Sequence, residues 1–359
     1  MDAIDAVLTE FKNNRIKLIH TASVKMPENI KKNILTLSKH KFNINLLGET
    51  DAQLGHLFSK AVLKLLKNSK IKRDQITAIG SHGQTIFHSP NATHPFTLQL
   101  ADPNIIAAKT GITTISDFRR RDIAEGGQGA PLVPAFHRYL FNIQNAQNRD
   151  QFVLNIGGIA NLTYLSKNKN KKIIGFDTGP GNTLLDQWCF LNTQKTMDKN
   201  GCWAKSGKIN NTLLKLLLSD QYFKKKYPKS TGPEYFNLSW LKRKIKNLKI
   251  NAKDIQATLT ELTAKSIAGQ LKQLCSNENK KLLWVCGGGV KNHYLMSRLK
   301  IHCPNFLVQS TQKINIEPQW MEAAAFAWLA KQTIEKKSGN VTHVTGAKRP
   351  AILGAIYTA

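Results

Sequence analysis

The stretch GFDTGPGN, Gly175 to Asn182, sets one carboxylate, Asp177, between an apolar run and a glycine-rich bend. A carboxylate at the C-terminal end of a strand in an α/β sheet points into the crevice where ligands bind. Beside a water it can serve as a general base, an effect of roughly 10²–10⁴ in rate. Pro180 sets its own φ while Gly179 and Gly181 free the backbone on either side, so the bend is shaped rather than floppy. The plainer reading is an Asp that caps the next helix or holds the turn.

Two further glycine elements could meet an anion. In NIGGIAN, Gly157 and Gly158 let backbone N–H groups approach closely, and Asn155 and Asn161 add neutral donors. An ordinary hairpin turn explains the same residues. In WVCGGGVKN, Gly287, Gly288 and Gly289 leave room for a base or a sugar beside the free N–H groups of a following helix. No GK[ST] follows and the G-x-G-x-x-G spacing is absent, so a tight βα turn is the alternative. GSHGQT carries His82 and Gln84 at another strand end, without the G-x-S-x-G elbow of a hydrolase. Arg119, Arg120 and Arg121 precede a glycine loop. They could orient a carboxylate or phosphate, or form a solvated loop paired with Asp117 and Asp122.

The elements that must hold these residues alternate. DAIDAVLTEF and IKLIHTASVKM predict two strands, PENIKKNILTLSKH and DAQLGHLFSKAVLKLLKNS two helices, and residues 76–118 alternate strand and helix. RRRDIAEGGQGAP is expected as a long loop before the helix LVPAFHRYLF. QFVLNIGGIANLTYLS and KKIIGFD then restart the strand pattern, NTLLDQWCF begins a helix, and a polar Lys-rich insertion follows. DIQATLTELTAKSIAGQLKQL has amphipathic spacing, with Ile255, Leu259, Leu262, Ile267, Leu271 and Leu274 in register. Strand, triple glycine and helix come next, and EPQWMEAAAFAWLAKQTI is the last long helix. Two successive blocks of this kind predict a duplicated α/β chain with a boundary near residues 125–150 and a ligand cleft between the halves.

The 359 residues are 41% hydrophobic, enough for two domains with sizeable cores. No apolar run approaches the roughly 18 residues of a membrane span. The acidic start MDAIDAVLTEF lacks the basic region of a signal peptide. The 5 cysteines are scattered, without CxxC pairs, which fits reduced thiols in a cytoplasm. A formal charge of +29 invites a polyanion partner, but the basic residues are mostly Lys, spread along the chain beside many Asn. That spread is composition drift, and no stripe of aromatic and basic residues argues for nucleic acid.

Taken together, GSHGQT, DFRRRDIAEGGQGAPLVPAFH, NIGGIANLT, FDTGPGN, KSTGPEYFN and TGAKRPAILGAIY follow the order seen in anhydro-N-acetylmuramic acid kinases. The chain resembles that family over essentially its whole length. The resemblance implies two ribonuclease-H-like domains of the actin-like ATPase type with an ATP cleft between them. It places residues 1–130 plus about 335–359 in the first domain and 131–334 in the second. It implies ATP with Mg²⁺, cytoplasmic work in peptidoglycan recycling, no membrane or nucleic-acid partner, and a homodimer. The reaction would open 1,6-anhydro-N-acetylmuramic acid with water and phosphorylate O6.

By the same resemblance Asp177 activates the water. Asp2, Asp5, Asn155, Gly157, Gly158, Asn161, Gly287, Gly288 and Gly289 attend ATP, and Gln84, Arg120 and Glu322 attend the sugar. No dedicated cage for Mg²⁺ stands in the sequence, which is usual for that ion. One departure is clear: family members begin with an apolar strand and a Gly-Thr-Ser turn ahead of a segment like MDAIDAV, where this chain starts. The expectation is an upstream start, with the first strand and a phosphate loop missing from the sequence given. A chain truly starting at Met1 would have poor stability and weak ATP binding. A weak or inactive member, or a kinase for another sugar, is the rival.

Overall fold

Alternating polar and apolar residues make β1 (Ala3–Lys12) and β2 (Arg15–Lys25) a twisted antiparallel pair with a register shift between Leu8 and Thr9. The computed structural model describes the chain except residues 1–2, 14, 39–42, 144–148, 169–170 and 276–280, and the side chains of 142–143. Two helices follow, α1 (Glu28–Ser38) and α2 (Ile44–Ser69). Asn43 caps α2 by accepting from the N–H groups of Asn45 and Leu46. Then come β3 (Ile79–Gly80), β4 (Gln84–Ser89), β5 (Phe96–Leu100), α3 (Pro103–Thr110) and β6 (Thr114–Ser116). The expected loop at RRRDIAEGGQGAP instead opens with a short helix, α4 (Arg120–Ala124), before α5 (Val133–Ile143).

The second block begins with β7 (Gln151–Ile156), β8 (Ile159–Leu165) and β9 (Ile174–Pro180), followed by α6 (Asn182–Thr193). The Lys-rich insertion is helical: α7 (Cys202–Ser206), α8 (Asn211–Leu218), α9 (Gln221–Lys224) and α10 (Leu238–Ile245). The long α11 (Ala252–Leu274) leads to β10 (Lys281–Cys286), α12 (His293–His302) and β11 (Phe306–Ser310). The chain closes with α13 (Met321–Ile334), α14 (Thr342–Thr345) and β12 (Ala355–Tyr357).

These elements form two compact units, residues 1–144 with 320–359, and residues 145–319. The expected bounds at 130 and 335 differ by one helix on each side. Tyr139 and Phe136 of α5 pack with tilted rings against Trp328 of α13 at 5.6 and 6.0 Å, which holds both helices in the first unit. That unit carries three small sheets, β1–β2, β12–β6–β3 and β4–β5. Its core joins Ile4, Met26, Ile34, Leu37, Leu54, Ile86 and Leu100.

The second unit holds one five-stranded sheet in the order β11-β10-β7-β8-β9. The β7–β8–β9 meander is antiparallel, while β10 and β11 run parallel to β7, a ribonuclease-H-like arrangement. The amphipathic reading of α11 is corrected here, since Ile255 to Ala264 are buried without a break. Its first half packs with Leu185, Leu213, Phe236 and Trp240, its second half with the sheet through Leu154, Leu283 and Val285. One helix thus serves two cores in succession. Two of its buried hydroxyls are satisfied within the helix, since Thr258 and Thr260 donate to the carbonyls four residues back. Burial pushes Glu261 up, but bonds from Arg298 at 2.6 and 3.0 Å and from His302 at 2.6 Å hold it below the ordinary range.

Candidate functional site

Strand register gathers the polar residues of the second unit. Cys286 pairs with Asn155, Asn155 with Asn161, and Asn161 with Asp177, giving a row across β10, β7, β8 and β9. Antiparallel partners share a face, so Asn155, Asn161 and Asp177 lie side by side. An irregularity after Ala160 creates this register: Ala160 faces Gly179, Asn161 faces Asp177, and Thr178 is the extra residue. Thr178 anchors the bulge by donating to the carbonyl of Ala160 at 3.1 Å.

The glycine turns lock onto each other beside this row. Gly287 has φ +82, and a Cβ there would lie 2.3 Å from Oδ1 of Asn155. A Cβ on Gly289 would lie 2.3 Å from Cγ2 of Ile156. Gly288 differs, for its added Cβ would meet nothing nearer than Nδ2 of Asn182 at 3.7 Å. The first helical N–H groups of α6 are occupied: Asn182 donates to the carbonyl of Gly157, and Gly181 and Thr183 to that of Gly158. The start of α6 therefore braces the hairpin rather than awaiting a phosphate. Open backbone remains at Gly157, where a Cβ would find its nearest neighbour at 3.5 Å, and at Gly288.

Asp177 is not a helix cap; no side chain of this bend caps α6. Its carboxylate accepts from the N–H of Thr231 at 3.0 Å through Oδ2, a single bond among the described residues. Burial raises its pKa to about 6; the Thr231 bond and Lys229 oppose this, and Glu234 adds to it. The carboxylate is therefore ionised at neutral pH yet basic enough to take a proton. Its backbone is held as well: Asp177 N–H donates to the carbonyl of Lys229 and the Tyr222 hydroxyl donates to the Asp177 carbonyl at 2.7 Å.

The first unit presents a guanidinium on a neutral support. Nε and Nη2 of Arg119 face Nε2 of His82 at 3.1 and 2.7 Å, and Nη1 donates to the carbonyl of Gly129 at 2.8 Å. Burial and then the Arg119 charge hold His82 well below its ordinary pKa, so Nε2 is an acceptor. His82 stacks on Phe326 of α13 at 4.3 Å. Burial raises the pKa of Glu322 on the same helix; Arg119 opposes this and Asp5 adds to it. Gln84 begins β4 and donates to the carbonyl of Thr85. Arg120 stands apart, exposed and 3.7 Å from Asp117. Asp2 lies outside the described residues, and Asp5 is exposed on β1.

The sequence offered Arg119, Arg120 and Arg121 together and the resemblance chose Arg120; that His82 supports Arg119, and that Lys229–Thr231 meets Asp177, had no local signal. Arg119 follows the buried Phe118 directly, a burial clue that a run of three arginines hides. Among the described residues no group of three or more His, Cys, Asp or Glu side chains could hold a metal ion.

A family model for anhydro-N-acetylmuramic acid kinase matches residues 1–359. The anhydro-N-acetylmuramic acid kinase of Coxiella burnetii (strain RSA 493 / Nine Mile phase I) is 54% identical over 358 residues, covering 99% of this chain and 94% of that protein. The enzymes of the same name from Aliivibrio fischeri and Pasteurella multocida are 48% and 49% identical, covering 100% and 99% of this chain and 96% and 94% of their own lengths. With a glycine-lined sheet end and a basic carboxylate in place, this chain belongs to the anhydro-N-acetylmuramic acid kinase family.

Proposed function

We propose that the protein opens 1,6-anhydro-N-acetylmuramic acid with water and phosphorylates the freed O6 with ATP. The observation that carries this reading is the row Asn155–Asn161–Asp177, which ends in a carboxylate of pKa about 6 on a sheet whose turns leave Gly157 and Gly288 open. Asp177 holds a water through Oδ1 and takes its proton as the oxygen attacks C1. The C1–O6 bond breaks, O6 bonds to the γ-phosphorus, and the bond from that phosphorus to its bridging oxygen breaks to release ADP. The product is N-acetylmuramic acid 6-phosphate. Attack from the face opposite the leaving oxygen is the geometry of inverting glycoside cleavage. Phosphoryl transfer then needs position and charge more than covalent help.

ATP fits the backbone left open at Gly157 and Gly288, where a planar or anionic group can approach without meeting a side chain. Mg²⁺ would ride on the phosphates with oxygen and water ligands. Arg119 is better placed for the sugar's carboxylate than Arg120, because His82 and Gly129 orient its fork while Arg120 stays in solvent. No helix among the described residues is long and apolar enough to cross a membrane. Cytoplasmic work in peptidoglycan recycling, as a homodimer, completes the reading. ADP production with the anhydro sugar, compared with glucose, glycerol and N-acetylglucosamine, tests it. Equal turnover of glucose would replace this reading with that of a general sugar kinase.

A further inference from the structure

β9 is an edge strand of its sheet, so one row of its backbone groups has no strand partner. At Asp177 a segment 45 to 54 residues further along the chain supplies partners instead. The Lys229 carbonyl accepts the Asp177 N–H at 3.1 Å, the Tyr222 hydroxyl donates to the Asp177 carbonyl at 2.7 Å, and the Thr231 N–H donates to Oδ2 at 3.0 Å. Oδ1 alone of the polar atoms of Asp177 has no bond among the described residues. The segment that does this is a closed loop. Oδ1 of buried Asp220 accepts the Tyr222 N–H at 3.0 Å and the Tyr235 hydroxyl at 2.8 Å, which pins the two ends together, and Oδ2 accepts Nε1 of Trp240 at 2.9 Å. The loop is filled from within, for the ammonium of Lys229 lies 4.8 Å from the centroid of the Tyr222 ring and donates to the Tyr222 carbonyl at 3.4 Å.

We propose that Tyr222 is a positioning residue: its hydroxyl fixes the Asp177 backbone against the loop, so that Thr231 engages Oδ2 and Oδ1 is left aimed at the water. The inference rests on the reading of Asp177 as the base. Tyr222 suits the task because its ring is immobile. It is 3% exposed and meets Phe236 edge-on at 5.4 Å and Phe223 at 6.0 Å, while Asp220 holds its N–H. A hydroxyl carried on so fixed a ring allows the Asp177 carbonyl one position. Such control matters at a reacting group, where a displacement of about 1 Å can cost roughly 10²-fold in rate. A tyrosine that merely satisfied an edge carbonyl would contribute to stability and leave turnover alone.

The test is Tyr222→Phe in the full chain, followed by ADP release with the anhydro sugar. The variant keeps the packed ring and loses only the bond to the Asp177 carbonyl. It should lower kcat by about tenfold while KM for ATP and sugar stays within about twofold. Tyr164 of β8, in the same sheet, donates its hydroxyl to Oδ2 of Asp150 at 3.1 Å and is the matched control. Tyr164→Phe should keep kcat within about twofold, and thermal melts of the two variants should shift alike, since each loses one hydrogen bond. In an Asp177→Asn background, adding Tyr222→Phe should change kcat by less than about twofold, because the two residues act as a unit. Wild-type kcat in Tyr222→Phe, an equal loss in Tyr164→Phe, or the full tenfold loss on top of Asp177→Asn overturns the proposal. Normal turnover in Asp177→Asn alone would instead overturn the base assignment itself, so the two failures are told apart.

Discussion

The first unit buries one aspartate and the second half-buries another, and they treat them in opposite ways. In the first, Asp122 is fully buried and its carboxylate accepts from Gly129 N–H at 2.7 Å, Asn340 Nδ2 at 2.7 Å and Thr345 Oγ1 at 2.8 Å. Those bonds tie the EGGQG loop to the returning C-terminal segment, and Arg349 repeats the tie by donating to Glu125 at 2.6 Å. In the second, Asp177 has one bond to its carboxylate among the described residues, and burial drives its pKa to about 6. A carboxylate supplied with donors stabilises a fold; one short of donors keeps affinity for a proton. The difference is the one expected between a structural acid and the proposed base.

The contrast can be broken by substitution, beginning with the largest effect. Asp177→Asn should lower kcat by roughly 10²–10⁴ with substrate binding retained, read by steady-state kinetics and calorimetric titration. Asp122→Ala should cost about 3–5 kcal/mol in urea denaturation, because it strands buried donors. Asp177→Asn should do the reverse to stability. Its folded pKa is raised from 3.8 to about 6, so the stability present below pH 3.8 is lost as pH rises through about 6. Removing that charge should stabilise the protein by about 1–3 kcal/mol at pH 8 and by nothing at pH 3.5, a difference that thermal melts at the two pH values would reveal.

Smaller effects sharpen the same division. Gly289→Ala should destabilise by about 1–3 kcal/mol through its clash with Ile156, whereas Gly288→Ala should melt like wild type and weaken ATP binding. Equal melting losses in the two variants would remove the argument that Gly288 faces a ligand. In the first unit, Arg119→Lys should weaken sugar binding by about tenfold, since a lysine cannot reproduce the fork that His82 and Gly129 aim. Arg120→Lys should change it by less than about twofold, as expected of an exposed pair with Asp117.

Much of this was visible locally. The β7–β8 hairpin, the bend after Asp177 and the CGGG turn depend on glycine and proline, whose backbone preferences act within a few residues. The helices α7 to α10 were not visible, because each is too short to show a period, and their apolar residues meet only when packed on α11. The choice of Arg119 over its neighbour depends on the burial of Phe118 and on His82, thirty-seven residues earlier.

The sequence by itself determined which groups are present and where the chain can turn: a lone carboxylate before a shaped bend, two glycine turns, and strands to carry them. Tertiary structure alone decided that Asn155, Asn161 and Asp177 form one row. That outcome depends on a single unpaired residue, Thr178, which shifts the register of β9 by one and so decides which side chains share a face. It also alone decided the proton affinity of Asp177. Desolvation and the charges of Lys229 and Glu234 are sums over neighbours in space, and no local pattern in the chain encodes them.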